Sequence, residues 1–414
     1  MVEQYIYNYI DMNIENFFDI IKENEIEFID FRFTNLNGSS HHISFCKDKV
    51  DQKQIEQGII YNSDITLIPD LLTGFVDPFS AQNTYVIYCI VRSREYTDSR
   101  SIAIKALQYL EENNIAKSKF NLDIDFHIFD DVRFNNDDNH SFYKIDSEEG
   151  VYNSNKKYNS GNLGYRSHDS SVVSPIDSSG DIRSEIMMML KNSNISAICH
   201  KHNRSNSQSS INIDYYNLID AADNLIKAKY IIRNVVHSYG KSASFMVSPT
   251  RNSFSSTLIS QIIESDANNL NYYIGGIIKH LRAIAAFTNS TTNSYKKFYN
   301  QFSKENKLDI FYDKNILRIN FVDSASNPYL SLSAITMAGI DGIINKIQID
   351  ENYDRFPRSL SESLYNLSLD REFLLKDNVF TNQMIDSYIE MKNIEINEVE
   401  SSISPVEFKL YYNN

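Results

Sequence analysis

The segment FNLDIDFHIFDDVRF, residues 120–134, sets two aspartates one residue apart at the head of an apolar run. Asp123 and Asp125 alternate with Leu122, Ile124 and Phe126. Successive strand side chains point to opposite faces, so both carboxylates are expected on one face. Such a pair is half of what a hard divalent cation needs, the rest being further oxygen ligands in near-octahedral geometry. Without those oxygens it is a solvated or salt-bridged pair. His200 and His202 together with Asp125 offer a partial zinc-like set, short of a closed tetrahedral one. Elsewhere the chemistry-bearing residues read as structural. His41 and His42 follow a hairpin turn and should be exposed, and Lys241 in YGKSASF is a surface or supporting cation. Arg183 and Glu185 in DIRSEI are spaced to engage the first turn of their own helix. The Ser/Asn tract from Asn203 to Ser210 holds no Ser-His-Asp arrangement and reads as a loop.

The elements that must hold these groups can be traced from period and punctuation. Residues 3–24 have the spacing of an amphipathic helix. EFIDFRFTNLNGSSHHISF then alternates around Asn-Gly turn chemistry, which predicts a hairpin. SDITLIPD and NTYVIYCIVRS are two more strand candidates, closing a small N-terminal sheet near Ser93. SRSIAIKALQYLEENN restarts as a serine-capped helix, the aspartate strand follows, and residues 135–174 read as long polar surface loops. SGDIRSEIMMMLKNSN, YYNLIDAADNLIKAKYIIRNVVHSYG, NLNYYIGGIIKHLRAIAAFT and NPYLSLSAITMAGIDGIINKI are helices, the second ending on Gly240. Gly275 and Gly276 sit inside a helix at a cost of about 1 kcal/mol each relative to alanine, which predicts close helix approach. Helices and strands segregate, so the class is α+β, with domains at 1–93 and 94–414.

Composition narrows the function. The chain has 414 residues and a net charge of -14, which argues against nucleic acid as a partner. Cys46, Cys89 and Cys199 lack CxxC spacing, and no stretch gives eighteen clean apolar residues, so a reducing cytoplasm without membrane attachment is expected. Only 12 glycines occur, and neither GxxxxGK[ST] nor GxGxxG is present, so the usual glycine-rich phosphate cradles are missing.

The order of segments resembles the glutamine synthetase family over essentially the whole chain. GNLGYR is similar to the family's G-N-K-G-H-R, DIRSEI to D-I-R-S-E-M, and RNVVHSYGKSASFM to H-N-V-A-H-x-x-G-K-T-A-T-F-M. YYIGGIIKH with TNSTTNSYKKF, the NPYLSLSAITMAGIDGIINKI block and the closing SPVEFKLYY resemble further family blocks. The resemblance implies a β-grasp-like N-terminal domain and a catalytic-type domain whose curved antiparallel sheet is backed by helices. It also implies ATP, two magnesium or manganese ions and homo-oligomeric rings, hexameric or stacked into dodecamers.

Carried over position by position, the resemblance puts the metal-binding glutamates of G-P-E-P-E-F-F on Asp123 and Asp125. Those of H-H-E…G-Q-x-E fall on His202 and Ser210. The metal-binding histidine of G-S-G-M-H-x-H falls on Ile259 and its nucleotide-binding successor on Gln261. The glutamate of E-V-R-F falls on Arg318, and the neighbouring phosphate-binding arginine on Asn320. Lys297 opens a shortened phosphate-binding stretch, with Ser303 at or near the position of the acid that closes the site. The glutamate-binding N-G loop falls on Phe254 and Ser255, and the D-G-S-S-I loop, which brings an aspartate across the subunit interface, is missing between Gln57 and Ser63. Five family glutamates carry -5, whereas Asp123, Asp125 and Arg318 carry -2 + 1 = -1. Arg318 is therefore expected to pair with the aspartates in space that metal occupies in relatives. The expectation is a catalytically impaired protein with an assembly or regulatory role, its partner an active synthetase of the same cell. The alternatives are an active, divergent ATP-dependent glutamate–ammonia ligase and a small-molecule sensor without turnover.

Overall fold

A computed structural model describes residues 14–93, 98–113, 118–150, 170–250, 253–263, 267–299, 310–313, 316–350 and 356–411. Residues 14–23 form helix α1. The strands β1 (Phe28–Thr34), β2 (Ser40–Cys46), β3 (Ile59–Ile60), β4 (Thr66–Pro69), β5 (Phe75–Val76) and β6 (Thr84–Arg92) then build a mixed sheet, with helix α2 (Gln52–Gln57) between β2 and β3. Its order is β2-β1-β6-β4-β3, β5 also pairing with β6. The continuous apolar run of β6 is buried on both faces, as such runs are in central strands. Between β3 and β4 the chain turns through Tyr61–Ile65, closed by Tyr61 N–H donating to the Ile65 carbonyl at 2.9 Å.

Helix α3 (Ser99–Glu112) follows, and its cap is Asp98 rather than the expected serine: the Asp98 carboxylate accepts from Ser101 N–H. The large sheet comprises β7 (Ser118–Phe129), β10 (Ala197–His202), β11 (Gln208–Tyr216), β12 (Ser242–Ser244), β13 (Thr257–Ile263), β14 (Ile310–Asp313) and β15 (Ile316–Ile319). It runs in the order β10-β11-β7-β13-β15-β14, with β12 also on β7, and every pairing is antiparallel. Two readings fail here. Residues 135–174 are not loops throughout: β8 (Asp131–Asp137) and β9 (His140–Asp146) form a two-stranded hairpin. Both strands are mostly exposed, so no apolar period marks them. Likewise Gln208–Ser210, placed in a loop, open β11.

The even-numbered side chains of β7, Phe120, Leu122, Ile124, Phe126 and Ile128, enter the core. The core is completed by helices α4 (Gly180–Asn192), α5 (Leu218–Ser238), α6 (Ala267–Lys279), α7 (Leu281–Thr288), α8 (Pro328–Ile344), α9 (Leu360–Leu369) and α10 (Asn382–Ser401), with α11 (Pro405–Tyr411) closing the chain. Helix α5 ends as expected, Gly240 taking φ +70° just beyond its last turn. No helix among the described residues is long and apolar enough to cross a membrane.

The segment read as one helix through NLNYYIGGIIKHLRAIAAFT divides at His280. Its imidazole spans two acids, Nδ1 lying 2.8 Å from Asp370 and Nε2 3.0 Å from Asp341, and stacks on Phe373. Burial favours the neutral ring, but hydrogen bonds from the cationic ring to Asp341 and Asp370 outweigh it and raise the pKa. A raised folded pKa gives stability that is fully present below the unfolded value near 6.5 and lost as pH rises through the folded value. Wild-type protein should therefore lose thermal stability across that interval, and His280→Gln should flatten the slope. Equal slopes in the two proteins would remove this assignment.

Candidate functional site

The site is built outward from β7. Directly opposed residues in an antiparallel pair share a face. Asp125 opposes Ser210 and Asp123 opposes Asn212 across β11, while Leu258 opposes Asp123 across β13. Ser260 opposes both Asn121 and Arg318, and Lys201 opposes Ser210. One face of the sheet thus presents Asp123 and Asp125 together with Ser210, Lys201, Leu258 and Arg318.

The carboxylates are already engaged. The Ser210 hydroxyl donates to Asp123, whose other oxygen is 3.4 Å from the Lys201 ammonium. Asp125 accepts from Asn203 Nδ2 at 2.7 Å, Ser256 N–H at 3.3 Å and Gln208 Nε2 at 3.4 Å. It is 8% exposed. Desolvation, followed by repulsion from Asp123, outweighs these hydrogen bonds and pushes its pKa up to about 7. The site is therefore poor at holding even two negative charges at neutral pH. Next along the strand, His127 is fully buried, its Nδ1 3.0 Å from Ser255 Oγ, and desolvation pushes its pKa down to about 3. It adds a neutral ring beside the aspartates, one that the sequence analysis did not single out.

Several positions need correction. Ile259 opposes Leu122 and is 1% exposed, so it lies in the core, on the face away from the aspartates. Leu258 occupies the place facing Asp123. Gln261 shares the core side, with Nε2 donating to Ser118 and Tyr273, and Ser260 faces the site instead. A one-residue slip in strand register exchanges the two faces, and SSTLISQ carries no residue that fixes the register. The same slip moves the N-G loop position from Phe254 and Ser255 to Ser253 and Phe254.

His202 is likewise displaced. It opposes Ser209 and its Nε2 lies 3.1 Å from Glu149, 53 residues earlier. Lys201 and Asn203 reach the aspartates in its place, so the zinc-like set of His200, His202 and Asp125 does not form. Glu149 is a buried carboxylate that sequence reasoning missed. Burial pushes its pKa up, but hydrogen bonds from His202 and Ser178 hold it below the usual value. His200 instead accepts from Arg183 Nε at 3.2 Å. That guanidinium also reaches Asp177 and Ser209, leaving its own helix turn rather than engaging it.

Arg318 is exposed and makes no ion pair with either aspartate among the described residues; the cation on the pair is Lys201. Asn320 follows β15 and is half-buried. Lys297 pairs with the buried Asp323 at 3.0 Å and serves packing. Ser303 lies outside the described residues. Two hard dications need several anionic oxygens each. Two aspartates, with Ser210, Leu258, Lys201 and Arg318 around them, do not fit that demand. No group of three His, Cys, Asp or Glu side chains suited to a metal ion occurs among the described residues.

The family is decided by comparison with known proteins. The profile described as glutamine synthetase, catalytic domain, matches residues 96–411, and that for the glutamine synthetase β-grasp domain matches residues 25–94. This chain belongs to the glutamine synthetase family. It is 35% identical to a glutamine synthetase of Azospirillum brasilense, covering 97% of this chain and 99% of that protein. It is also 35% identical to a 3-hydroxylaminophenol mutase of Cupriavidus pinatubonensis, over 95% and 98% of the two chains. Among solved structures, Plasmodium falciparum glutamine synthetase superposes with a TM-score of 0.85 at 22% identity, covering 99% of this chain and 98% of that one. The structure called apo GmaS superposes at 0.78 with 18% identity. These likenesses carry the fold: a β-grasp domain and a catalytic-type domain with a curled sheet backed by helices.

Proposed function

We propose that this glutamine synthetase family chain has lost the metal-dependent ligase reaction and acts in assembly or regulation, in rings that include an active synthetase of the same cytoplasm. One observation carries the reading. The aspartate oxygens are taken up by Ser210, Lys201, Asn203 and Ser256, and the face around them adds cations and a leucine rather than oxygen donors. These residues do not fit the magnesium or manganese pair that would position ATP.

A second reading, an active and divergent ATP-dependent glutamate–ammonia ligase, is favoured by one finding. A relative named glutamine synthetase is 35% identical over nearly the full length of both chains. Calorimetric titration with magnesium and manganese, beside a γ-glutamyl hydroxamate assay, separates the two. The proposal expects no stoichiometric heat and no hydroxamate. Asp125→Asn should then leave the protein folded and raise its stability above pH 7 by about 1–2 kcal/mol, because a carboxyl with a raised pKa is costly to ionise. Tight metal binding, or activity that Asp125→Asn abolishes, would establish the second reading. Native mass spectrometry of co-expressed chains tests the mixed ring.

A further inference from the structure

A cavity of about 430 Å³ lies between the Asp70–Gly74 segment of the N-terminal domain and the first turns of α5. It shares no lining residue with the aspartate face, and α5 packs on the core side of β7. Two cationic groups line it with unmet capacity. Arg100 is 2% exposed, and although Nε and Nη2 bond Asp223 and Asp70, its buried Nη1 has no hydrogen-bond partner among the described residues. Lys227 is 6% exposed, and among the described residues its ammonium has only the Ser193 carbonyl at 3.3 Å and the Phe75 ring at 4.4 Å. A buried ammonium is normally matched by an acid. Lys227 makes no ion pair among the described residues. Burial pushes its pKa down to about 8 despite Asp223 and Asp220. Across the cavity Asp220 is an exposed carboxylate that takes a hydrogen bond from Asn217 Nδ2 at 2.8 Å and makes no ion pair among the described residues.

We propose that this interdomain cavity binds a small α-amino acid, its carboxylate on Lys227 and Arg100 Nη1 and its ammonium against Asp220. A simple anion would satisfy the cations but leave the Asp220 carboxylate without a counter-charge, and a simple amine would do the reverse. A zwitterion relieves both. Leu72, Ile104 and Ile219 give the side chain an apolar wall, and the volume falls within the range of small-ligand sites. The site is independent of whether the aspartate face is catalytic, so its test does not depend on that outcome.

The test is calorimetric titration of the full-length protein with each standard amino acid, followed by the α-hydroxy acid matching any that binds. The expected result is one site per chain for at least one amino acid. Lys227→Met should weaken it about tenfold or more, the loss of a charged hydrogen bond. Lys227→Arg should retain it, and Asp220→Asn should weaken the amino acid while leaving the hydroxy acid unchanged. Met fits the same stem over Phe75 without a buried charge, so unliganded Lys227→Met should melt no lower than wild type, which separates lost binding from lost folding. Absence of binding to every amino acid at millimolar concentration would overturn the proposal. So would unchanged affinity in Lys227→Met, which would place the amino acid elsewhere. A hydroxy acid binding wild type as tightly as its amino acid would also overturn it in favour of an anion site.

Discussion

Arg100→Met is expected to destabilise the protein by about 3–5 kcal/mol, the range for stranding a buried acid by removing its cation. The guanidinium bonds Asp223 through Nε at 3.0 Å and Nη2 at 2.8 Å, and Nη2 also reaches Asp70 at 2.7 Å. Tyr329 donates to the same Asp223 at 2.6 Å. One side chain on α3 thereby joins the N-terminal sheet, α5 and α8. Removing it leaves Asp223, 5% exposed, without a counter-charge. Tyr329→Phe should cost only about 1 kcal/mol, since it removes one donor and leaves the ion pair. Pairing Arg100→Met with Asp223→Leu should recover much of the loss, because replacing both partners removes the uncompensated charge. Thermal and denaturant unfolding of the three variants would check the order; equal losses in the single and double variants would contradict it.

Gly276→Ala is the second large expected loss. A methyl added there would run into the Ala338 carbonyl and lie 2.7 Å from the backbone of Gly342. The reciprocal holds at Gly342, whose added carbon would meet the Tyr272 carbonyl. Both obstacles are helix backbone, so no flexible side chain can yield, and α6 and α8 must separate along their length. Alanine gains about 1 kcal/mol in helix propensity, against overpacking of about 3 kcal/mol or more. The expected outcome is insoluble protein or a sharply lowered melting temperature. Gly240→Ala is the control: nothing lies within 4 Å of the added carbon, and only its φ of +70° opposes the change, at about 1 kcal/mol. If the two substitutions cost the same, close helix approach does not explain Gly276.

What was legible in the sequence follows from which residues answer to one constraint only. The glycine pair in YYIGGIIKH pointed to helix contact because a helix interior otherwise disfavours glycine. The alternation of NLDIDF placed both aspartates on one face because every second residue is strongly apolar. SSTLISQ was not readable in this way. Its polar and apolar residues alternate irregularly, Gln261 is polar yet buried beside Tyr273, and the register is set by β7 and β15 rather than by the segment itself. His202 was misplaced for a related reason: its partner Glu149 comes from a distant polar stretch, and a contact across 53 residues leaves no local pattern. The β8–β9 hairpin escaped notice because exposed strands in a polar segment lack the apolar period that marks buried ones.

The division of β7 into two independent sets of side chains has an evolutionary consequence. Even positions answer to the hydrophobic interior, where a change of volume is punished by unfolding, while Asp123 and Asp125 on the opposite face answer to hydrogen-bonding neighbours such as Ser210, Asn203 and Lys201. A lineage can therefore rewrite its reactive groups one letter at a time without risking the scaffold, and descendants with unrelated occupations can keep superimposable backbones.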